Sequence, residues 1–387
     1  MRHRLLGLVA SLALCSAAHA GDPIGRPVDP VGVPSADRPV GPADDKPRIA
    51  VVFCIDCSGS MGPVIDAAKQ KVWAIVNQAA KAKPSPVLRI GLIGYGNGLG
   101  PFRTFPLTDD LDTVYERLMT FKDEGWGDEF VGLAVHRATT NMAWATGRQT
   151  LKVVYVVGNE TALQGPANTS YTRTTPVAAA DGIVVNAVYC GNVDYEAATP
   201  TWREMARLGD GRYMEIAQTG GVRHVATPFD DELSKLSDGL NNTYVPFGAQ
   251  GRGGADNQMA QDANAAGLGK AVAADRAAAK SAVQYRNARW DLVDAAKEKD
   301  FKLSTVTDEQ LPAELRKLTL EQRRAYVDRK AKERESIQDK IKELAAKRDA
   351  FVRDELAKKG GTGDKALETA VRESLTEQAR TKGFKFE

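Results

Sequence analysis

Asp56, Ser58 and Ser60 stand at alternate positions of the stretch Asp-Cys-Ser-Gly-Ser, directly after the apolar run Ile49–Ile55. One carboxylate and two hydroxyls offer only oxygen donors. A hard divalent cation takes oxygen ligands, and Mg2+ suits a site with few protein donors because it keeps part of its water shell. Mn2+ and Ca2+ are the alternatives. The competing reading of the same residues is a plain strand-to-helix turn in which the Asp56 carboxylate caps the helix that follows. Cys54 and Cys57 lie in the same stretch with C-x-x-C spacing. In a redox protein that motif opens a helix, whose N-terminus lowers the thiol pKa, whereas Cys54 falls inside the predicted strand. Zinc needs two further ligands, and beyond residue 20 the histidines are His136 and His224. Cys54 therefore reads as a small buried apolar residue. Three cysteines remain past residue 20, so at most one internal disulfide forms, with Cys57 and Cys190 the candidate pair.

The elements around this stretch must carry it into a crevice. Strands are expected at Ile49–Ile55, Leu88–Tyr95, Leu151–Val157, Ile183–Tyr189 and Arg212–Ile216. Several are continuous Val- and Ile-rich runs, the pattern of strands covered on both faces. Between them, Val64, Ala68, Val72, Ile75, Val76 and Ala79 recur at helical spacing. Further helices are expected from near Asp128 and over Asp230–Asn242. Strand and helix in alternation predict an α/β fold with a doubly wound, mostly parallel sheet, and in such a sheet ligands bind outside the carboxyl ends of the strands. At that level "DEGWGDEFVGLAV" offers Asp128, with Trp126 beside it as either a partner contact or a packed aromatic. "GNETALQGP" offers Asn159 and Glu160.

Catalysis has little to stand on. An aspartate-nucleophile phosphotransferase needs a second carboxylate two residues on, where Ser58 stands. No Gly-x-Ser-x-Gly elbow occurs, and "GYGNGLG" (94–100) lacks the Lys-Ser/Thr of a phosphate loop. A metal-dependent hydrolase stays the remote alternative to a binding module.

The 387 residues are 43% apolar and 26% charged, enough for a globular core. Residues 1–20 have a basic start, an apolar stretch and an Ala-x-Ala end, which reads as a secretory signal cleaved after Ala20. The protein is thus expected to be secreted or periplasmic. Without Arg2 and Arg4 the remaining 50 basic residues balance the 50 acids, so there is no case for a nucleic-acid partner. No segment is long and apolar enough for a membrane span. Residues 21–46 form a Pro/Gly-rich linker, 47–247 the α/β domain, and 248–283 a Gly/Ala-rich flexible connector turning helical toward its end. Residues 284–387 form a charged, all-α extension with two capping boxes, Thr307–Gln310 and Thr319–Gln322. Within it Ile337, Ile341, Leu344 and Phe351 have the spacing of a partial coiled coil, but Arg348 and Glu355 fall where the seam should continue. The extension is either a solvated helical hairpin or a partner-binding arm of a structural protein.

Asp56, Ser58, Ser60, Met61 and Gly62 together resemble the Asp-x-Ser-x-Ser-Met-Gly hallmark of the von Willebrand factor A domain and its metal-ion-dependent adhesion site, over residues 47 to about 247. That resemblance implies strand order 3-2-1-4-5-6, a Mg2+ held by three loops, and a module that binds other proteins, often through a carboxylate of the partner. The second loop of the family offers a threonine where Asp128 stands, and the third an aspartate where Asn159 stands. One carboxylate is thereby moved between loops, and Glu160 would add another. Added negative charge should strengthen cation binding and weaken capture of an acidic ligand.

Overall fold

The computed structural model describes residues 41, 44–96, 98, 102–124, 127–191, 197–221, 225–358 and 367–386. The expected signal, most of the first linker, Trp126 and His224 lie outside the described residues.

Six strands, β1 (Arg48–Asp56), β2 (Val87–Tyr95), β3 (Arg103–Thr108), β4 (Thr150–Gly158), β5 (Val184–Tyr189) and β6 (Tyr213–Glu215), form one sheet in the order 3-2-1-4-5-6. All pairs are parallel except β2–β3. Every residue of β1 is buried, as befits the strand between β2 and β4. Its side chains alternate between two cores. Ile49, Val51, Phe53 and Ile55 face one, and Ala50, Val52 and Cys54 the other. The edge strand β3, "RTFPLT", was not among the expected strands. Its Pro106 cannot donate to a ladder and suits an edge.

One face of the sheet is covered by α1 (Gly62–Ala80) and α2 (Leu111–Met119). The other is covered by α3 (Val131–Thr140), α4 (Tyr171–Ala180) and α5 (Thr199–Leu208). The helix expected over 230–242 is α6 (Asp230–Asn241).

The segment read as a flexible connector is instead two helices, α7 (Gly251–Leu268) and α8 (Lys270–Ser281). Its small residues serve close packing rather than mobility. Ala265, Ala274, Ala277 and Ala279 are buried, and a side chain at Gly254 would run into the Trp290 ring. Beyond two short helices, α9 (Leu292–Ala295) and α10 (Ala313–Arg316), the extension is dominated by α11, the 39-residue helix Leu320–Lys358. Both expected capping boxes are formed.

The buried residues of α11 are Val327, Arg334, Ile341 and Arg348, one every seven residues. The seam does continue through arginine, and it packs on α6, α8 and α9 of the same chain rather than on a matching long helix. Arg334 donates to Asp291 (2.7 Å), Asp294 (3.0 Å) and Thr243, with its guanidinium 4.0 Å above the Tyr244 ring centre. Arg348 donates to Asp230 and Asp275, both at 2.7 Å.

The last helix, α12 (Leu367–Thr381), lies against α1 and β4. Leu367, Ala370, Val371, Leu375 and Ala379 share a core with β1 and α1, so the sheet face is closed by residues more than a hundred positions downstream of β6. Among the described residues no helix is long and apolar enough to cross a membrane.

Candidate metal centre

In this sheet the order in which strands are added switches sides between the parallel neighbours β1 and β4, which opens a crevice at their carboxyl ends. Asp56 closes β1, in register with Tyr95 of β2, and Asn159 follows the last residue of β4. Residues remote in sequence thus meet by topology. The Asp-Cys-Ser turn is pinned at its base, where the Cys57 N–H donates to the Tyr95 carbonyl (2.7 Å) and the Glu124 N–H to the Cys57 carbonyl (2.9 Å). Gly96 passes so close that a Cβ there would collide with Asp56 Oδ1.

Asp56 is fully buried. Its Oδ1 accepts the Ser58 N–H at 2.7 Å, and its Oδ2 has no hydrogen-bond partner. The carboxylate therefore shapes its own turn and does not cap α1, whose N-cap, Met61, has no side-chain bond. Ser58 Oγ and Ser60 Oγ lie 3.5 Å apart. Asn159 Nδ2 donates to Ser60 Oγ at 2.7 Å, while the buried Asn159 Oδ1 is also without a partner. Four of the expected residues, Asp56, Ser58, Ser60 and Asn159, thus form one connected group. Glu160 is half-buried next to it. Its backbone carbonyl accepts the Trp202 indole N–H (2.6 Å), and its charge bears on Asp56.

Asp128 does not join them. It is exposed, and its backbone carbonyl accepts the Gly98 N–H at 2.8 Å. The acid of this loop that lies against Asp56 is the next residue, Glu129, which is 5% exposed and within hydrogen-bonding reach of both Asp56 and Ser58. The Glu129 N–H donates to Gln164 Oε1 (2.6 Å) and its carbonyl accepts the Val131 N–H (2.8 Å), which holds the backbone at the start of α3. The sequence signal was present: the unbroken apolar run Phe130–Val131 begins directly after Glu129, so Glu129 borders the buried side and Asp128 the wet one. Trp126 is not described, so its part in a contact face is unassigned.

Burial pushes the Asp56 carboxyl up to about 6, against hydrogen bonds that oppose the shift. Burial first, and then the Asp56 charge, push Glu129 up to about 9. Without a cation the pair therefore holds a proton at neutral pH. The thiols take no part. Cys54, Cys57 and Cys190 are free, with Cys54 contacting the Ala134 carbonyl and Cys190 the Gly158 carbonyl and Met61. Burial raises all three, Cys57 to about 12, which keeps them protonated. The expected Cys57–Cys190 pairing is not formed.

Among the described residues no three His, Cys, Asp or Glu side chains gather as a cation cage. The donors at this centre are instead carboxylate, hydroxyl and amide oxygens. Two buried oxygens that accept no hydrogen bond from an N–H or hydroxyl of the described residues, Asp56 Oδ2 and Asn159 Oδ1, fit a hard cation.

Residues 51–160 match the family model described as von Willebrand factor type A domain. A comparison with curated proteins returned no match. Among solved structures the chain is similar to the conserved hypothetical protein BatB from Bacteroides thetaiotaomicron (17% identity, 44% of this chain and 90% of that one, TM-score 0.33). It is also similar to the SpRpn10 VWA domain (16%, 46% and 100%, 0.35). A third is proximal thread matrix protein 1 from the mussel byssus with a zinc-occupied MIDAS motif (14%, 47% and 45%, 0.36). Likenesses of this size carry no functional conclusion. With the motif at the end of β1, the 3-2-1-4-5-6 sheet and the matched segment together, the chain contains a von Willebrand factor type A domain.

Proposed function

We propose that this domain binds one hard divalent cation, Mg2+ in the first place with Mn2+ or Ca2+ as substitutes, through Asp56, Ser58, Ser60 and Asn159, with Glu160 at the rim. It presents that cation to a protein partner, in a secreted or periplasmic setting. The role is that of a binding module rather than a metal-dependent hydrolase. The observation that carries the reading is the pair of buried, unpartnered oxygens on Asp56 and Asn159, from two separate loops of one crevice. A bound cation supplies a positive charge between the loops and an open position for a ligand. The protein's own part is to hold Asp56 ionised and fixed by the Ser58 N–H, and to orient the Ser60 hydroxyl through Asn159.

The test is isothermal titration of chelator-treated full-length protein with MgCl2. Binding heat is expected for the wild type and none for Asp56→Ala. Absence of heat with Mg2+, Mn2+ and Ca2+ alike rejects the metal reading. A reading in which the helical extension alone is the partner arm has less support, because α11 and α12 are built into the domain's own packing.

A further inference from the structure

Six acidic side chains are buried in the described part of the chain: Asp56, Asp112, Glu129, Asp230, Asp291 and Asp294. Four of them are matched by buried bases, Asp112 by Arg276, Asp230 by Arg348, and Asp291 and Asp294 by Arg334. Asp56 and Glu129 are not. They lie against each other, and among the described residues no lysine or arginine forms an ion pair with either. Two buried carboxylates in contact repel unless a positive charge joins them. The interior elsewhere supplies that charge from its own chain, and here it leaves the place to something from outside.

We infer that Glu129, a residue the metal-site motif does not include, is a direct cation ligand, and that the loaded site accepts a neutral oxygen donor at its open position and turns away carboxylates. This rests on the cation-binding reading above. Asp56 and Glu129 together carry two negative charges, which balance a divalent ion. A partner carboxylate would bring a third into the same buried space, with Glu160 already close by. A hydroxyl, an amide carbonyl or water adds no charge.

The experiment uses full-length protein and Mn2+ as the probe. Mn2+ affinity is measured by titration for the wild type, Asp56→Ala, Glu129→Gln, Glu129→Thr and Asp128→Asn, with thermal unfolding confirming that each is folded. Acetate is then added to the Mn2+-loaded proteins, and relaxation of its methyl protons reports entry into the metal's coordination sphere. Glu129→Gln is expected to weaken Mn2+ by at least the roughly 10- to 100-fold that loss of a supporting partner costs a metal site. Asp128→Asn should stay within about twofold, as befits an exposed charge. Acetate should be relaxed by Mn2+ on Glu129→Thr and not on the wild type. Unchanged affinity in both Glu129 variants, or equal acetate relaxation on wild type and Glu129→Thr, overturns the inference. If Asp56→Ala loses Mn2+ while Glu129→Gln keeps it, only the role of Glu129 fails. If the wild type takes no Mn2+, both readings fail.

Discussion

Asn186 of β5 and Gln378 of α12, 192 residues apart, exchange two side-chain hydrogen bonds. Asn186 Nδ2 donates to Gln378 Oε1 at 3.1 Å, and Gln378 Nε2 donates to Asn186 Oδ1 at 2.7 Å. Both side chains are buried, so the pair fixes the register of the last helix on the sheet. Gln378→Leu keeps the volume but strands the Asn186 Nδ2 donor, while Oδ1 keeps the Arg212 N–H, at a cost of about 1–3 kcal/mol. A lower urea midpoint with an unchanged slope is expected. A variant as stable as the wild type would mean that α12 is not held there in solution.

The two arginines on the α11 seam predict a larger effect. Arg334 is 1% exposed and serves both Asp291 and Asp294, which are themselves buried. Arg334→Met leaves Asp291 without its charge partner and Asp294 with only the 3.5 Å contact to Lys297, and breaking a buried pair from one side costs about 3–5 kcal/mol. Exposed pairs such as Lys342–Asp339 should by contrast give close to nothing when Lys342 is changed to Ala. Chemical unfolding of the two variants side by side checks the contrast.

The same arginines show what the sequence could and could not disclose. The β1 run and the α1 spacing were legible because burial on two faces leaves unbroken apolar strands, and burial on one leaves a helical stripe. So was the oxygen motif at the end of β1. Arg334 and Arg348 hid the α11 seam, since a charge at a seam position reads as solvated until its partners are known, and those lie 40 to 118 residues away. The Gly/Ala stretch hid α7 and α8 for a related reason. Small residues look the same whether they are loose or pressed against Trp290. At the metal centre the loop was found, and the choice between Asp128 and Glu129 was missed by one residue, because adjacent acids in a loop look alike until the fold buries one of them.

The Asp56–Glu129 contact predicts how the metal-free protein responds to pH. Glu129 is raised in the folded chain, from an ordinary value of 4.5 to about 9. An acid whose folded pKa is raised binds more protons folded than unfolded, so stability falls as pH rises between those two values. In excess chelator the melting temperature of the wild type should decline from pH 6 to pH 9. Glu129→Gln, which cannot ionise, should decline less. Parallel profiles for the two proteins would show that Glu129 is not held against Asp56.

Adding the cation should reverse that liability. A ligand that binds only the folded chain stabilises it by about 2.7 kcal/mol at a hundredfold excess over its dissociation constant. Mg2+ should therefore raise the melting temperature of the wild type in a concentration-dependent way, and EDTA should undo the rise. Asn159→Ala should keep part of the effect. It removes one unpartnered oxygen and the donor that orients Ser60, but leaves Asp56 in place. Asp56→Ala should abolish the effect altogether. If Mg2+ shifted the Asp56→Ala protein as far as the wild type, the ion would be binding elsewhere on the chain.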